Sequence, residues 1–242
     1  MHFPSIPPVP VLMAMAIVIF LAIGFHEYAH CKFADMAGDP TPRLFGRVTL
    51  DLTKHFEPIG TLMIVFTTLS GVGIGWGRPA PMDERKMRNP RWDHFAAVIA
   101  GPVSNVVQAV VYAGFLRAFV RTGVVHWEQV GAAILRGRGE FREQATFLAA
   151  LLTLGVLTNL GLAIFNMIPL GPLDGHWIVG DLMPPRYRAG WLLWQRRYGN
   201  QILLALILIP SFVPQFPDVL SNVLGRPVFA VFKFLTGAPF VL

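Results

Sequence analysis

The chain has 242 residues, of which 54% are hydrophobic and 14% are charged, and its mean hydropathy is +0.53. This composition excludes an ordinary soluble domain and is typical of a protein with several membrane-spanning helices. A net charge of +6 does not indicate nucleic-acid binding here, because the basic residues lie in loops between apolar segments, as they do in the cytoplasmic loops of membrane proteins.

The first apolar segment, residues 10–33, is long enough to cross a bilayer, which takes about 20 residues. The alternative is a secretory signal peptide. No Lys or Arg precedes Lys32, however, so the basic start of such a peptide is missing. We therefore predict a membrane helix whose C-terminal end faces the cytoplasm.

Ionisable residues enter this segment while it is still apolar. Residues 11–24 contain none, and the sequence HEYAH then occupies residues 26–30. Residues four apart share one face of a helix, so the His26 and His30 imidazoles can bind one ion, and Glu27 can act on a water bound to it. Ionisable groups at membrane depth are costly and indicate function, so we favour a zinc site over a structural histidine pair.

Two irregular segments follow the first span. Residues 44–52 alternate in part and are rich in strand formers, so we predict a short strand or hairpin whose edge can pair with an unwound substrate. Residues 59–76 are apolar, but their glycines weaken the case for a helix and their length is borderline for a span.

The remaining chain contains two more predicted spans, an aromatic and basic interfacial segment and two short apolar segments, at 93–120, 145–168, 186–198, 201–216 and 228–242. We predict an all-α polytopic membrane protein. Three membrane helices form the core around the metal site, the strand or hairpin and a re-entrant segment follow the first helix, and one or two membrane helices lie at the C-terminus. We expect one membrane-embedded domain over 1–242, with the motifs in 10–180 and the C-terminal interfacial and membrane segments in 181–242.

Zinc commonly takes a third protein ligand and keeps an open position. Asp174 is the first candidate, because it directly follows an apolar span and lies beside a proline and a glycine. A turn aspartate that binds local amides is an equally good interpretation of an Asp-Gly sequence. His176 is a competing ligand. Cys31, the only cysteine, points about 100° away from the metal face and is expected to pack in the core.

Three motifs in this order, HEYAH (26–30), GPVSN (101–105) and NMIPLGPLDG (166–175), resemble those of the site-2 protease family of intramembrane zinc metalloproteases. More narrowly, the chain resembles the compact bacterial members without PDZ or CBS domains. The resemblance implies that His26, His30 and Asp174 bind one zinc ion and that Glu27 is the catalytic base. It also implies that Asn105 and Asn166 bind the substrate backbone or stabilise the reaction.

Considered alone, Asn105 fits equally well a polar residue that hydrogen-bonds to a neighbouring membrane helix. The backbone around Asn166 is irregular, and irregular backbone at membrane depth is tolerated where it is buried or lines a wet cavity. A substrate cleft near the end of the later span is therefore plausible on physical grounds.

A shared metal site constrains the topology. Asp174 follows the end of its span and the histidines lie late in theirs, so both spans run in one direction and 59–76 must not cross. One side then receives thirteen basic residues: Lys32, Arg43, Arg47, Lys54, Arg78, Arg85, Lys86, Arg88, Arg91, Arg186, Arg188, Arg196 and Arg197. The other side receives five: Arg117, Arg121, Arg136, Arg138 and Arg142. We therefore expect a multi-pass protein of the cell membrane whose active site opens toward the cytoplasm.

The leading hypothesis is a zinc-dependent intramembrane endopeptidase that hydrolyses peptide bonds of membrane-spanning substrates, as in regulated intramembrane proteolysis. A non-catalytic membrane metal binder or transporter could use the same histidines without Glu27, and an inactive protease relative is a third hypothesis. The expected partners are a membrane protein substrate and the lipid bilayer, without nucleic acid. The sequence does not determine the oligomeric state.

Overall fold

The computed structural model describes residues 8–69, 77–134, 146–213 and 219–239, whose regular elements are helices, with no strand among them. The helices are α1 (Val9–Met36), α2 (Thr41–Leu44), α3 (Pro58–Leu69), α4 (Pro90–Arg121), α5 (Trp127–Ile134), α6 (Phe147–Asn166), α7 (Asp174–Leu182), α8 (Pro185–Trp194), α9 (Asn200–Phe212) and α10 (Val219–Thr236). Short 3-10 turns cover Leu52–His55 and Glu84–Lys86, and a π-helical turn, Gln195–Gly199, joins α8 to α9.

Three of the described helices, α1, α4 and α6, are long and apolar enough to cross a membrane. They confirm the three predicted core spans to within a few residues. Helix α4 begins at Pro90. Proline suits the first position of a helix, because the backbone N–H that it lacks would have no partner within the helix there. The hydroxyl of Thr146 caps α6 by accepting a hydrogen bond from the Ala149 amide.

The three spans pack through small side chains. Ala14 of α1 and Ala150 of α6 are fully buried in one shared cluster, and Ala109 of α4 is fully buried in a second cluster with α6. A Cβ atom added to Gly155 of α6 would lie 2.5 Å from the ring of Tyr112. Lipid offers no hydrophobic drive for helix association, so membrane helices rely on small residues that allow such close approach.

The contacts fix the directions of the spans. The Arg88 amide, just before α4, donates to the Ala37 carbonyl at the end of α1 (3.0 Å), so α4 runs back along α1. The start of α6 packs against the first half of α1, in the cluster that contains Ala14 and Ala150. Helices α1 and α6 therefore run in the same direction, as a shared metal site requires.

The predicted strand or hairpin over 44–52 is wrong. This region contains the end of α2 and a turn at Gly46, whose φ of +65° lies in the left-handed region, and it leads into a 3-10 turn. Leu44 and Leu50 are exposed, and the side chain of Arg47 is buried instead. The strand formers in this stretch therefore do not alternate between a buried and an exposed face, as a half-buried strand requires.

The residues on either side of the 59–76 segment lie close together. The amide of Arg78 donates to the carbonyl of His55 at 2.8 Å. Helix α3 has 12 residues and spans about 18 Å, which is short of the roughly 30 Å of a hydrocarbon core. Residues 70–76 lie outside the described residues, so a re-entrant path remains a prediction.

The C-terminal helices are shorter than the core spans or less apolar, and among the described helices only the three core spans meet the criteria for crossing. Helix α10 packs against the α4–α6 cluster through Val228 and the fully buried Phe232. The apolar tail predicted at 228–242 thus contributes to the core, in its described part, rather than lying only on a surface.

Candidate metal centre

His26, His30 and Asp174 meet in the described structure, from the late part of α1 and the first residue of α7. The His26 Nε2 atom lies 3.2 Å from Asp174 Oδ2, and His30 Nε2 lies 3.5 Å from Asp174 Oδ1. The two Nε2 atoms are 3.1 Å apart. Both histidines are buried. Two residues predicted from HExxH spacing and one from the end of a distant span thus form one cluster.

The other ring nitrogen of each histidine has a partner that determines its protonation. His30 Nδ1 donates to the Ala97 carbonyl (2.8 Å), and His26 Nδ1 donates to Asn105 Oδ1 (2.7 Å). The orientation of the Asn105 amide follows from its own contacts, because its nitrogen donates to the Ala22 carbonyl at 3.1 Å. In neutral rings, both Nε2 atoms are therefore unprotonated acceptors.

This donor set fits a zinc ion. With both rings neutral, two Nε2 lone pairs and a carboxylate face one another, and Asp174 Oδ2 is buried without a hydrogen-bond donor among the described residues. Two imidazoles and a carboxylate, each imidazole fixed by an outer hydrogen bond, are a common ligand set of catalytic zinc. A Cβ atom added to Gly101 would overlap the His30 ring and lie 2.8 Å from His26 Cε1, so this glycine leaves space for both rings.

The backbone after α6 places Asp174 at the start of a helix. Gly175 packs so closely against the Met167 and Ile168 carbonyls that a Cβ atom would overlap both. The ring of His176 turns to the Leu173 carbonyl and does not join the metal cluster. Burial lowers the pKa of His176 and so favours its neutral form. Of the two candidates for the third ligand, the structure brings Asp174 to the histidines.

Glu27 lies beside the segment that returns after residue 76. A Cβ atom on Gly77 would be 3.1 Å from Glu27 Cγ and 3.2 Å from Glu27 Oε1. The guanidinium of Arg47, which is 2% exposed, holds this segment by donating to the Arg78 carbonyl at 2.6 Å. Among the residues that the structure describes, the Glu27 carboxylate has no hydrogen bond or ion pair. No described side chain or backbone group therefore competes with a reacting group for these oxygens.

The two asparagines predicted to bind substrate have different surroundings. Asn105 has no exposed surface, and its amide also donates to Asn159 Oδ1 at 2.9 Å. Asn166, the last residue of α6, is partly buried and donates to the Leu162 carbonyl at 3.0 Å. Sequence reasoning missed Asn159, although an amide inside an apolar span was a signal for a buried polar contact.

A second group of metal-ligating side chains, Glu84, His94 and Asp181, lies at the start of α4 and the end of α7. Arg188 donates to Asp181 Oδ1 (2.8 Å) and to Glu84, and His94 Nδ1 is 2.7 Å from Asp181 Oδ2. The hydrogen bond to Glu84 raises the pKa of Arg188, which stays charged. Because a guanidinium already joins both carboxylates, we interpret this group as an ion-pair network that fastens α7 to α4.

Comparisons with known proteins identify the family of the chain. The model of peptidase family M50 matches residues 14–210. The predicted zinc metalloprotease YwhC of Bacillus subtilis (strain 168) is 32% identical over 203 residues, which are 84% of this chain and 84% of that protein. The predicted zinc metalloprotease Rip2 of Mycolicibacterium smegmatis (strain ATCC 700084 / mc(2)155) is 24% identical over 191 residues, 79% of this chain and 65% of that protein. No solved structure matches the chain significantly. The chain therefore belongs to peptidase family M50, the family of intramembrane zinc metalloproteases that its sequence motifs resemble.

Proposed function

We propose that this zinc-dependent intramembrane protease binds its metal through His26, His30 and Asp174 and uses Glu27 as the general base. The observation that supports this most directly is the meeting of the two histidine Nε2 atoms with the Asp174 carboxylate, while the Nδ1 atom of each histidine donates to an outer acceptor. A polytopic protein of this family cleaves within the membrane, so the substrate class is membrane-spanning proteins.

Zinc in such a site lowers the pKa of a bound water to about 7 and polarises a carbonyl. The proton transfers and the placement of the substrate depend on residues of the chain. Glu27 accepts a proton from the attacking water on a carboxylate oxygen and returns it to the leaving amine nitrogen as the C–N bond breaks. The 77–79 segment lies against Glu27 and limits the directions from which a peptide can approach. A substrate helix must unwind first, because its carbonyls are otherwise hydrogen-bonded within the helix.

The asparagines take separate roles in this proposal. Asn105 orients His26, because its oxygen accepts from His26 Nδ1 and its nitrogen is held by two other acceptors. Outer partners of this kind fix the tautomer and direction of a metal-binding histidine. Asn166 contacts the substrate backbone, since its amide oxygen makes no hydrogen bond within the described chain and it ends α6 shortly before Asp174.

A non-catalytic metal binder or transporter is the weaker candidate. A transport path needs further ionisable groups inside the spans. Helix α6 contains none, and those of α4 lie near its ends, at Arg91, Asp93, His94, Arg117 and Arg121. Such a protein would also have no use for Glu27. These observations concern the described spans and favour the protease.

We further propose that the site opens toward the cytoplasm. The support is the excess of basic residues in the loops on the side of the metal cluster. Cys31 is buried, so a Cys31→Ser background allows single cysteines to be introduced in the loops after α1 and after α4. In intact cells, a membrane-impermeant thiol reagent should label a cysteine at the exposed Thr122 and spare one at the exposed Arg85. The reverse pattern would contradict the orientation.

The decisive experiment compares purified wild type, Glu27→Gln and Asp174→Ala in zinc content and in cleavage of a dye-labelled single-span membrane protein in proteoliposomes. Glu27→Gln should retain about one zinc per chain and lose cleavage, because it removes the base and leaves the ligands. Asp174→Ala should lose both. Retained cleavage in Glu27→Gln would refute the assignment of the base, and full zinc content in Asp174→Ala would refute that of the third ligand.

A further inference from the structure

A segment outside the sequence motifs contacts the chain on both sides of Asp174. It comprises the end of α8 and the π-helical turn, residues 191–199. Gln195, in this turn, is 2% exposed. Its amide nitrogen donates to the Pro169 carbonyl at 2.8 Å, and its amide oxygen accepts from the Gly171 amide at 2.8 Å. Both partners belong to the loop that precedes Asp174.

The same segment also holds the first turn after the ligand. Trp191 Nε1 donates to the His176 carbonyl at 2.8 Å. A Cβ atom on Gly199 would lie 2.6 Å from Gln195 Oε1 and 2.8 Å from the Gly171 nitrogen, so the loop and the turn pack backbone to backbone. The loop before Asp174 and the helix after it are thus held by one element.

The loop needs these partners for a physical reason. Residues 167–173 form neither helix nor strand, so the regular backbone pairing of α6 ends there, and within this loop Gly171 and Leu173 are buried. Buried backbone groups without partners are costly, above all at membrane depth, where water does not replace them. Gln195 satisfies one carbonyl and one amide with a single side chain, and it thereby fixes the direction in which the chain enters α7.

We propose that Gln195 is a positioning residue for the third metal ligand: it holds the 169–171 loop so that the Asp174 carboxylate faces His26 and His30. This inference rests on the proposed role of Asp174 as a ligand. It gives the π-helical turn, which the sequence indicates only as part of an interfacial segment, a function in assembling the site. Single π turns inside helices are frequent at functional sites.

The test measures zinc affinity by chelator competition in detergent for four proteins: wild type, Gln195→Leu, Asp174→Ala and Gln129→Leu. Gln129 is the matched control, because its side chain also accepts one backbone hydrogen bond, from the His126 amide, and α5 packs at the end of the bundle remote from the site. Gln195→Leu should weaken zinc binding about tenfold, as changes in outer partners of metal ligands do. Gln129→Leu should match the wild type.

A spectroscopic measurement distinguishes a displaced Asp174 carboxylate from a general loss of stability. In the Co²⁺-loaded proteins, the visible absorption of Gln195→Leu should shift toward that of Asp174→Ala, because the carboxylate leaves its place. Gln195→Glu retains the acceptor for the Gly171 amide and loses the donor to the Pro169 carbonyl, so its zinc affinity should lie between those of the wild type and Gln195→Leu. If Gln195→Leu does not fold, Gln195→Glu takes its place against the same control.

The outcomes distinguish the two claims. Wild-type zinc affinity and a wild-type Co²⁺ spectrum in the Gln195 variant, with weakened binding in Asp174→Ala, would overturn the positioning role and leave the metal site intact. Wild-type affinity in Asp174→Ala would overturn the ligand assignment and this inference with it. Equal losses in the Gln195 and Gln129 variants would show a general effect of stability and would also overturn the inference.

Discussion

Replacing Asn105 by leucine tests whether this residue acts through His26 or on the substrate. The change removes three hydrogen bonds, to His26 Nδ1, the Ala22 carbonyl and Asn159 Oδ1, from a residue with no exposed surface. It leaves the His26 N–H and the Asn159 oxygen without a partner, and each such buried group costs about 1–3 kcal/mol. We therefore expect the free energy of unfolding to fall by about 2–6 kcal/mol.

The change in zinc affinity distinguishes between the two roles of Asn105. His26 loses the partner that fixes its tautomer and ring direction, so the dissociation constant for zinc should rise about 10- to 100-fold. Chelator competition on the purified protein measures this constant. Asn159→Leu is the control, because it breaks the contact between the two amides and keeps the one between Asn105 and His26, and its zinc affinity should stay within about threefold.

Cleavage kinetics at saturating zinc complete the test. If Asn105 orients His26, Asn105→Leu with zinc restored should keep the KM of the wild type. A variant with wild-type zinc affinity and a raised KM would refute this reasoning. It would support instead the role in substrate binding that the resemblance to site-2 proteases implies.

Three further changes should separate the metal centre from its supports. Gly101→Ala adds a methyl group where His26 and His30 lie, so zinc binding should weaken about 100-fold or more, as measured by chelator competition. The control is Gly114→Ala, which adds a methyl group in open space on the same helix and should leave zinc binding unchanged. Gly175→Ala forces a methyl group onto two backbone carbonyls, which should lower the free energy of unfolding by about 1–3 kcal/mol and reduce zinc content. Arg188→Met removes one of two partners of the fully buried Asp181, so the free energy of unfolding should fall by about 3 kcal/mol. Denaturant titration measures this quantity, and an unchanged value would contradict the ion-pair network.

The spans and the proposed metal ligands could be predicted from the sequence because they depend on local patterns. Long apolar segments identify α1, α4 and α6, and the spacing of His26 and His30 places both on one helix face without knowledge of the fold. Predicting Asp174 required further information, because its position far along the chain does not show whether it lies at the same membrane depth as the two histidines. The resemblance of three ordered motifs provided that information.

The errors and omissions concern residues whose role depends on contacts made far along the chain. The strand formers in 44–52 suggested a sheet edge, but Arg47 turns inward to bind the Arg78 carbonyl, a partner 31 residues away. Gln195 lies in a segment whose aromatic and basic composition indicates only a membrane interface. Its partners are 24 and 26 residues earlier, so composition could not show that its amide is buried against a loop.

The buried side-chain amides lie toward one end of the helix bundle, and the needs of a metal site explain this distribution. The cluster around α5, the start of α1 and the end of α4 contains apolar side chains, many of them alanine and valine. At the other end, Asn105, Asn159 and Gln195 are buried and hydrogen-bonded around the metal cluster. A buried amide costs little when all its partners are present and a great deal when one is missing. A metal site at membrane depth therefore needs a complete set of such contacts, and the apolar end, in its described residues, needs only close packing. Substitutions in the apolar end should accordingly change stability without changing zinc affinity.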